Sequence, residues 1–257
     1  MFEQYITNIF NVNDMPRGSI FDSYVDFKSK EPDWEKWEHI QPEFDYHPLK
    51  LFHTLIVPTK NTVRYSFILK KTILVGNSMY FTGVTGTGKS VIINDTLQEM
   101  KAEGLIVPLL LTFSAKTNSK QVQESFESKL NPLRKGGKIM LKPQLPNTKL
   151  TVFVDDINMP EVEQYGAQPP IELLRQVIDA GGFYDRTTFQ WKELMDTVVI
   201  CASVPPGGGR VGLSERFVRH FHVINIPASE GEIMSQIFAT ILSNFFKALN
   251  FGDEIEK

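Results

Sequence analysis

Gly83-Val84-Thr85-Gly86-Thr87-Gly88-Lys89-Ser90 has the G-x-x-x-x-G-K-[ST] spacing of a phosphate-binding loop. Upstream, Met79-Tyr80-Phe81-Thr82 is a short β-prone run. Downstream, Ile93, Leu97 and Met100 recur at helical spacing, with Gly104 as a stop. The predicted strand, loop and helix form the setting this chemistry needs. Glycines allow positive φ, so that successive N–H groups turn inward on a polyphosphate, and the helix N-terminus adds partial positive charge. Lys89 would reach the terminal phosphates, and the Ser90 hydroxyl would ligate Mg²⁺. The bland reading, a glycine-rich turn that fits by accident, leaves the flanking strand and helix unexplained.

The 257 residues are enough for one sizeable α/β core plus an appended piece. Charge is nearly balanced, with 27 Lys and Arg against 30 Asp and Glu, a net of −3. Arg134-Lys135-Gly136-Gly137-Lys138, the nearest thing to a basic run, is short and glycine-interrupted, so nucleic acid is not an expected partner. Cys201 is the single cysteine, which leaves no disulfide framework or cysteine metal site and fits a reducing compartment. No stretch approaches 18 consecutive apolar residues, so no membrane partner is expected, and Met1 to Ile6 lacks a signal-peptide pattern. Both ends read as cut from a longer chain.

The order of elements implies three parts: an irregular aromatic and acidic leader over 1–50, an αβα nucleotide-binding subdomain over 51–227, and the first part of a helical lid over 228–257. The leader carries Trp34 and Trp37 and would pack its aromatics on a neighbour. Thr62 to Leu69 predicts a helix, which would set the Val57-Pro58-Thr59 turn near the adenine end of a nucleotide. Val107 to Phe113 reads as a strand buried on both faces. Ser114, Thr117 and Ser119 offer caps for a helix from Gln121 to Leu130. Gly136-Gly137 and the prolines at 143 and 146 bracket a hairpin insertion. Further strands are expected at Leu150–Val154, Thr197–Ala202 and Val223–Ile226, with a helix over 171–180 stopped by Gly181-Gly182. Alternating strands and helices mean a parallel sheet covered on both sides. Met and Phe residues in 233–249 recur at helical spacing and read as core contacts.

Three further pieces gather around the loop. Val152-Phe153-Val154-Asp155-Asp156 is an apolar strand ending in two acids; two crossover units of roughly 30 residues each fit between Ser90 and Asp155. Asp155 would hold Mg²⁺ through its waters, and Asp156 would orient the attacking water. Leu213-Ser214-Glu215-Arg216-Phe217-Val218-Arg219 puts two arginines on one side of a short helix. Arg216 is the candidate finger for the nucleotide of a neighbouring module, while Arg219 pairs more simply with a surface acid. In the loop from Ser203 to Arg210, Ser203 is the candidate phosphate sensor, because the Val204 side chain cannot hydrogen-bond. His220 and His222 have no carboxylate at ligand spacing and read as structural.

With these residues assembled, the chain resembles an AAA+ module of the dynein heavy chain, most closely the third module of the axonemal type. The likeness covers about 50 to 227. It rests on Val57-Pro58-Thr59, Gly83 to Ser90, Phe153-Val154-Asp155-Asp156-Ile157-Asn158-Met159-Pro160, Tyr165-Gly166-Ala167-Gln168-Pro169-Pro170, Gly182-Phe183-Tyr184-Asp185, Pro205 to Arg210 and Arg216 to Phe221. The resemblance implies a five-stranded parallel sheet of order 5-1-4-3-2 sandwiched by helices, followed by a helical lid. It implies a cofactor of ATP or ADP with Mg²⁺, held by Val57, Pro58, Thr59, Gly83, Thr85, Gly86, Thr87, Gly88, Lys89, Ser90, Val91, Asp155 and Ser203, with Ser90 and Asp155 on the metal. The implied partners are neighbouring AAA+ modules of the same heavy chain, other dynein subunits, and microtubules through the parent chain alone. The implied location is the cytoskeleton of the cytoplasm and the axoneme of cilium or flagellum.

Asp156 stands where the third module of cytoplasmic relatives has glutamate, Val204 where they have a sensor asparagine, and the second sensor arginine of the lid is absent. These departures point to a nucleotide-gated regulatory module that hydrolyses slowly at most. The competing readings are a competent ATPase once the ring is assembled, a structural wedge that binds no nucleotide, and a helicase- or clamp-loader-like AAA+ ATPase. The intact Lys89, Ser90 and Asp155 set argues against the wedge.

Overall fold

A computed structural model describes residues 16, 19–26, 33–44, 46–48, 55–228 and 231–248. The opening Met1 to Ile6, the Glu31-Pro32 pair, the boundary near residue 50 and the tail after Ala248 lie outside them. The chain divides into two compact units, residues 1–67 with 230–257, and residues 68–229.

In the first unit, β1 (Ser23–Asp26) pairs antiparallel with β2 (Asp33–Lys36), so the leader is more regular there than its composition suggests. Trp37 is buried; its ring stacks on Tyr24 at 4.8 Å and meets Phe67 edge-on at 5.3 Å. Its indole N–H donates to the Phe21 carbonyl at 3.1 Å, which satisfies the polar edge of an otherwise apolar ring. Helix α1 (Lys60–Val75) begins where Thr59 and Thr62 exchange hydrogen bonds: Thr59 N donates to Thr62 Oγ1 at 2.8 Å and Thr62 N to Thr59 Oγ1 at 3.2 Å.

The second unit is organised by β3 (Met79–Thr82), α2 (Lys89–Ala102), β4 (Ile106–Thr112), α3 (Ser119–Glu127), β5 (Leu130–Lys135), β6 (Lys138–Pro143), β7 (Lys149–Asp155), α4 (Pro169–Ala180), β8 (Gly182–Tyr184), β9 (Trp191–Leu194), β10 (Thr197–Ser203), α5 (Glu215–Val218) and β11 (His222–Asn225). The main sheet has the order β11-β3-β10-β7-β4, and every pairing is parallel. Counted along the chain, that is the 5-1-4-3-2 order the resemblance implies. Parallel strands must be joined by crossovers, which lay helices on the sheet and leave the central strands β7 and β10 almost wholly buried.

Burial of Phe126, Phe153, Phe183, Leu150, Val152, Val154 and Leu174 makes the core, each large side chain contributing about 1.5–3 kcal/mol of transfer free energy. From Ile68 on, α1 belongs to this second unit, and Lys149 Nζ caps its C-terminus through the carbonyls of Ile73 and Leu74 at 3.2 and 2.6 Å, a cation placed at the negative end of a helix dipole.

Four expectations change. The strand at 107–113 is an edge strand, not one buried on both faces: it ends the sheet, and Leu110 is 48% exposed. The helix after it is capped by Asn118, whose side chain and that of Gln121 form a reciprocal capping box, and it stops at Glu127, so that Leu130 begins a strand. The expected hairpin around Gly136-Gly137 exists, but it is half of a second, four-stranded sheet of order β5-β6-β9-β8. Phe126 of α3 packs edge-on against Phe183 of β8, ring centroids 6.3 Å apart. Finally, α6 (Gly231–Ala248), in the first unit, buries Ile241 but leaves Met234, Phe238, Leu242 and Phe245 exposed, so those residues are not core contacts of this chain.

Candidate nucleotide site

Helix α2 starts without a side-chain cap. Its N-cap is Gly88, in the left-handed conformation at φ +77°, and the first helical bond runs from Ile92 N to Gly88 O at 2.9 Å. The amides of Lys89, Ser90 and Val91 therefore meet no acceptor within the helix, and no other acceptor among the described residues takes them. Gly86, at φ +85°, turns the loop ahead of them. Positive φ at both glycines and three undonated amides at a helix N-terminus are what a polyphosphate needs, so the loop fits that group.

Lys89 is 7% exposed. Its ammonium donates to the carbonyls of Gly83 and Val84, both at 2.8 Å, and to Thr87 Oγ1 at 3.2 Å, so the loop closes around its own lysine. Burial lowers its pKa below the ordinary lysine value; Asp155 and Asp156 work against that, and Arg210 adds to it. The two acids at the end of β7 thus share one electrostatic neighbourhood with the lysine, as the strand order requires: β3 and β7 flank β10, and all three end at the same sheet edge. Ser90, half-buried in the first turn of α2, has no protein partner for its hydroxyl among the described residues.

Asp155 Oδ1 accepts the amide of Asp156 at 3.1 Å, and Asp156 itself sits at φ +52°. A non-glycine residue in that region is uncommon, with Asp and Asn the side chains that tolerate it best. Ser203 is 1% exposed; its hydroxyl shares a 2.6 Å hydrogen bond with Tyr80 and donates to the Val204 carbonyl at 3.1 Å. That hydroxyl is therefore not free for phosphate sensing in this arrangement. Arg216 lies on α5, exposed, with no ion-pair partner among the described residues. Arg219 Nη2 lies 3.6 Å from Asp179 Oδ1. Val57, Pro58 and Thr59 belong to the first unit, where Thr59 begins α1 and Gln41 Nε2 donates to the Pro58 carbonyl at 2.7 Å.

Two residues that the sequence reading quoted within motifs but gave no role stand out here. Asn158 is 2% exposed and its side-chain amide donates to the Val204 carbonyl at 2.9 Å. Arg210 has a buried Nε with no hydrogen-bond partner among the described residues. The signal for the asparagine was present, since it is the one polar side chain in the apolar run Ile157-Asn158-Met159; nothing local marks the arginine.

The parallel order 5-1-4-3-2, the helices on its faces and the phosphate loop between β3 and α2 define a P-loop ATPase-like α/β fold of the AAA+ kind. The chain belongs to the family of P-loop containing dynein motor regions, which matches it over residues 44–229. It is 43% identical over 248 residues to human dynein axonemal heavy chain 6, covering 95% of this chain and 6% of that one. It is 36% identical over 239 residues to rat dynein axonemal heavy chain 12 (93% and 8%) and 42% identical over 227 residues to mouse dynein axonemal heavy chain 3 (88% and 5%). The chain thus spans less than a tenth of the length of these relatives. Membership of a P-loop family implies binding of ATP or ADP.

Proposed function

We propose that this chain is a nucleotide-binding regulatory module, the third, of an axonemal dynein motor ring, holding ATP or ADP and hydrolysing slowly at most. The observation that carries the reading is the phosphate loop itself, with Lys89 buried and the amides at the start of α2 unused, set at the sheet edge where β7 ends in Asp155 and Asp156. In this reading Gly83, Thr85, Gly86, Thr87, Gly88 and Val91 form the phosphate cradle.

Ser90 and Asp155 would hold Mg²⁺, which neutralises phosphate charge when bound. Asp156 would orient the water from a side chain one methylene shorter than glutamate, and a displacement near 1 Å costs about a hundredfold in rate. Slow hydrolysis follows. Arg216, exposed and without an ion-pair partner among the described residues, suits a finger offered to the nucleotide of an adjacent module. The same exposure supports the second reading, a competent ATPase within the assembled ring. Partners are the neighbouring modules of the same heavy chain, other dynein subunits and, through the parent chain, microtubules in the axoneme.

Equilibrium binding of fluorescent ATP and ADP, with single-turnover hydrolysis, tests the reading on the wild-type chain and on Lys89→Ala and Asp156→Glu. Loss of binding in the lysine variant, and hydrolysis 10- to 100-fold faster in the glutamate variant, are the expected results. Binding indifferent to the lysine overturns nucleotide recognition. A wild-type rate equal to that of the glutamate variant overturns the regulatory role in favour of the ATPase.

A further inference from the structure

Arg210 ends the Pro205-Pro206-Gly207-Gly208-Gly209 loop that follows β10. Gly207 and Arg210 exchange both backbone hydrogen bonds at 3.1 Å, closing a tight turn whose glycines all have positive φ. Asn158 grips the loop on both sides: its side chain donates to Val204 O, and its own carbonyl accepts Val211 N at 3.3 Å. The loop is thereby tied to the turn that carries Asp155 and Asp156, and the register that pairs Ser203 with Thr82 sets it out from the same sheet edge as the phosphate loop, where the charge of Arg210 works against that of Lys89.

A guanidinium in such a position is costly. Two cations share the neighbourhood, and although Arg210 as a whole is half-buried, its Nε is shut off from water and has no hydrogen-bond partner among the described residues. Buried N–H donors are paired in nearly all folded proteins. The acceptor chemistry that satisfies a planar guanidinium beside a loop lysine is phosphate oxygen, which takes the fork bidentately.

We propose that Arg210 is a phosphate-binding residue supplied by the module itself, which contacts the terminal phosphate and makes this site prefer ATP to ADP. The proposal rests on the nucleotide-site reading above. Terminal rather than inner phosphate follows from the neighbours: glycine amides and the helix N-terminus serve the inner phosphates, while the lysine faces the terminal ones. Arg210 stands with that lysine, whose other charged neighbours are the two acids at the end of β7. It would occupy by charge the place where Val204 provides no polar side chain, and it acts within the module, unlike the exposed Arg216.

The test is the ratio of ATP to ADP affinity, measured with fluorescent nucleotides on the wild-type chain, Arg210→Ala, Arg210→Met, Arg210→Lys and Lys89→Ala. Arg210→Ala is expected to weaken ATP about 10- to 100-fold, the range of a charge-assisted hydrogen bond, and ADP less than about threefold. Arg210→Lys should recover part of the loss, because it keeps the charge without the fork. Should Arg210→Ala fold poorly, Arg210→Met keeps the apolar stem and Arg210→Lys the charge, and the difference between those two gives the same answer. Equal loss for both nucleotides, as a merely structural arginine would give, overturns the proposal, as does no loss for either. A wild-type chain that binds neither nucleotide, or binds both regardless of Lys89, overturns the nucleotide-site reading and this proposal with it. Binding that needs Lys89 and ignores Arg210 removes the arginine alone.

Discussion

The side-chain amide of Asn158 reaches across 46 positions of sequence to the carbonyl of Val204, 2.9 Å away. Its Oδ1 is buried without a partner among the described residues, so among them the side chain is held by its donor end alone. It joins the turn after β7 to the loop after β10, the two segments that bring Asp155, Asp156 and Arg210 to the phosphate loop. Asn158→Ala should cost about 0.5–1.5 kcal/mol, the net worth of one hydrogen bond, because the Val204 carbonyl keeps the Ser203 hydroxyl as a donor. Asn158→Asp should cost at least as much, because it sets a carboxylate against that carbonyl. Denaturant melts give the costs, and looser nucleotide binding in folded Asn158→Ala would show that the tie positions the loop.

Gly83 has no room for a side chain. A Cβ there would lie 2.3 Å from the Ile226 carbonyl oxygen, in the segment whose amide bonds to Thr82 O at 2.7 Å. Backbone cannot yield as a flexible side chain can, so Gly83→Ala should lose about 1–3 kcal/mol and most nucleotide affinity together. Gly86→Ala meets no atom within 4 Å and is strained only by its positive φ, so its stability loss should be the smaller of the two. Paired thermal melts decide this.

Asp156 carries the left-handed backbone best of the common non-glycine choices. Asp156→Val should lose about 1–2 kcal/mol, the usual cost of left-handed φ for a side chain with no local polar compensation. Asp156→Glu should lose less than that while hydrolysing faster, so stability and rate are expected to move in opposite directions. Melts and single-turnover rates on the same preparations check the pair.

Cys201 lies fully buried in β10, and burial pushes its thiol well above the ordinary range. The thiolate is the reactive species, so an aromatic disulfide reagent should leave the folded chain unlabelled at pH 8 and label it stoichiometrically in denaturant. Rapid labelling without denaturant would mean that β10 opens in the native state.

Lys192 bridges Asp185 at 2.6 Å and Glu127 at 2.9 Å, fastening β9 to α3 and to the turn after β8. The Lys192 bond, with the amides of Thr188 and Thr187, holds the Asp185 carboxyl far below its ordinary value. Burial works to lower Lys192, but its two carboxylates prevail and raise it. A lowered acid stabilises above its unfolded value of ~4 and loses that contribution as pH falls toward its folded value. A raised lysine stabilises fully below ~10.4 and loses its contribution as pH climbs through the higher folded value. Asp185→Asn should therefore melt below wild type at pH 7, with the gap narrowing below pH 4. A gap independent of pH would show that the ion pair contributes nothing.

The elements that sequence reading found are those whose cause is local. The strand-loop-helix around Lys89, the apolar runs at β7 and β10, and the left-handed stop at Gly181 each follow from spacing and residue type within about a dozen positions. What it misjudged depends on neighbours far along the chain. The run at 107–113 is apolar enough to be buried twice, yet edge position exposes Leu110. Ser203 stands at the expected strand end, but Tyr80, on the adjacent strand, takes its hydroxyl. The hairpin at 130–143 gains its sheet only when β9 arrives alongside β6.

By itself the sequence determined the phosphate-loop chemistry, the α/β class and the family resemblance, because glycine spacing, a loop lysine and hydrophobic period are properties of short segments. Only the tertiary structure decided which polar groups share the site: that Lys89 lies with both acids, that Asn158 ties two loops together, and that Arg210 comes to the lysine without an acid of its own. Charge neighbourhood and burial are set by which strands lie side by side, and that adjacency is written in no single stretch of chain.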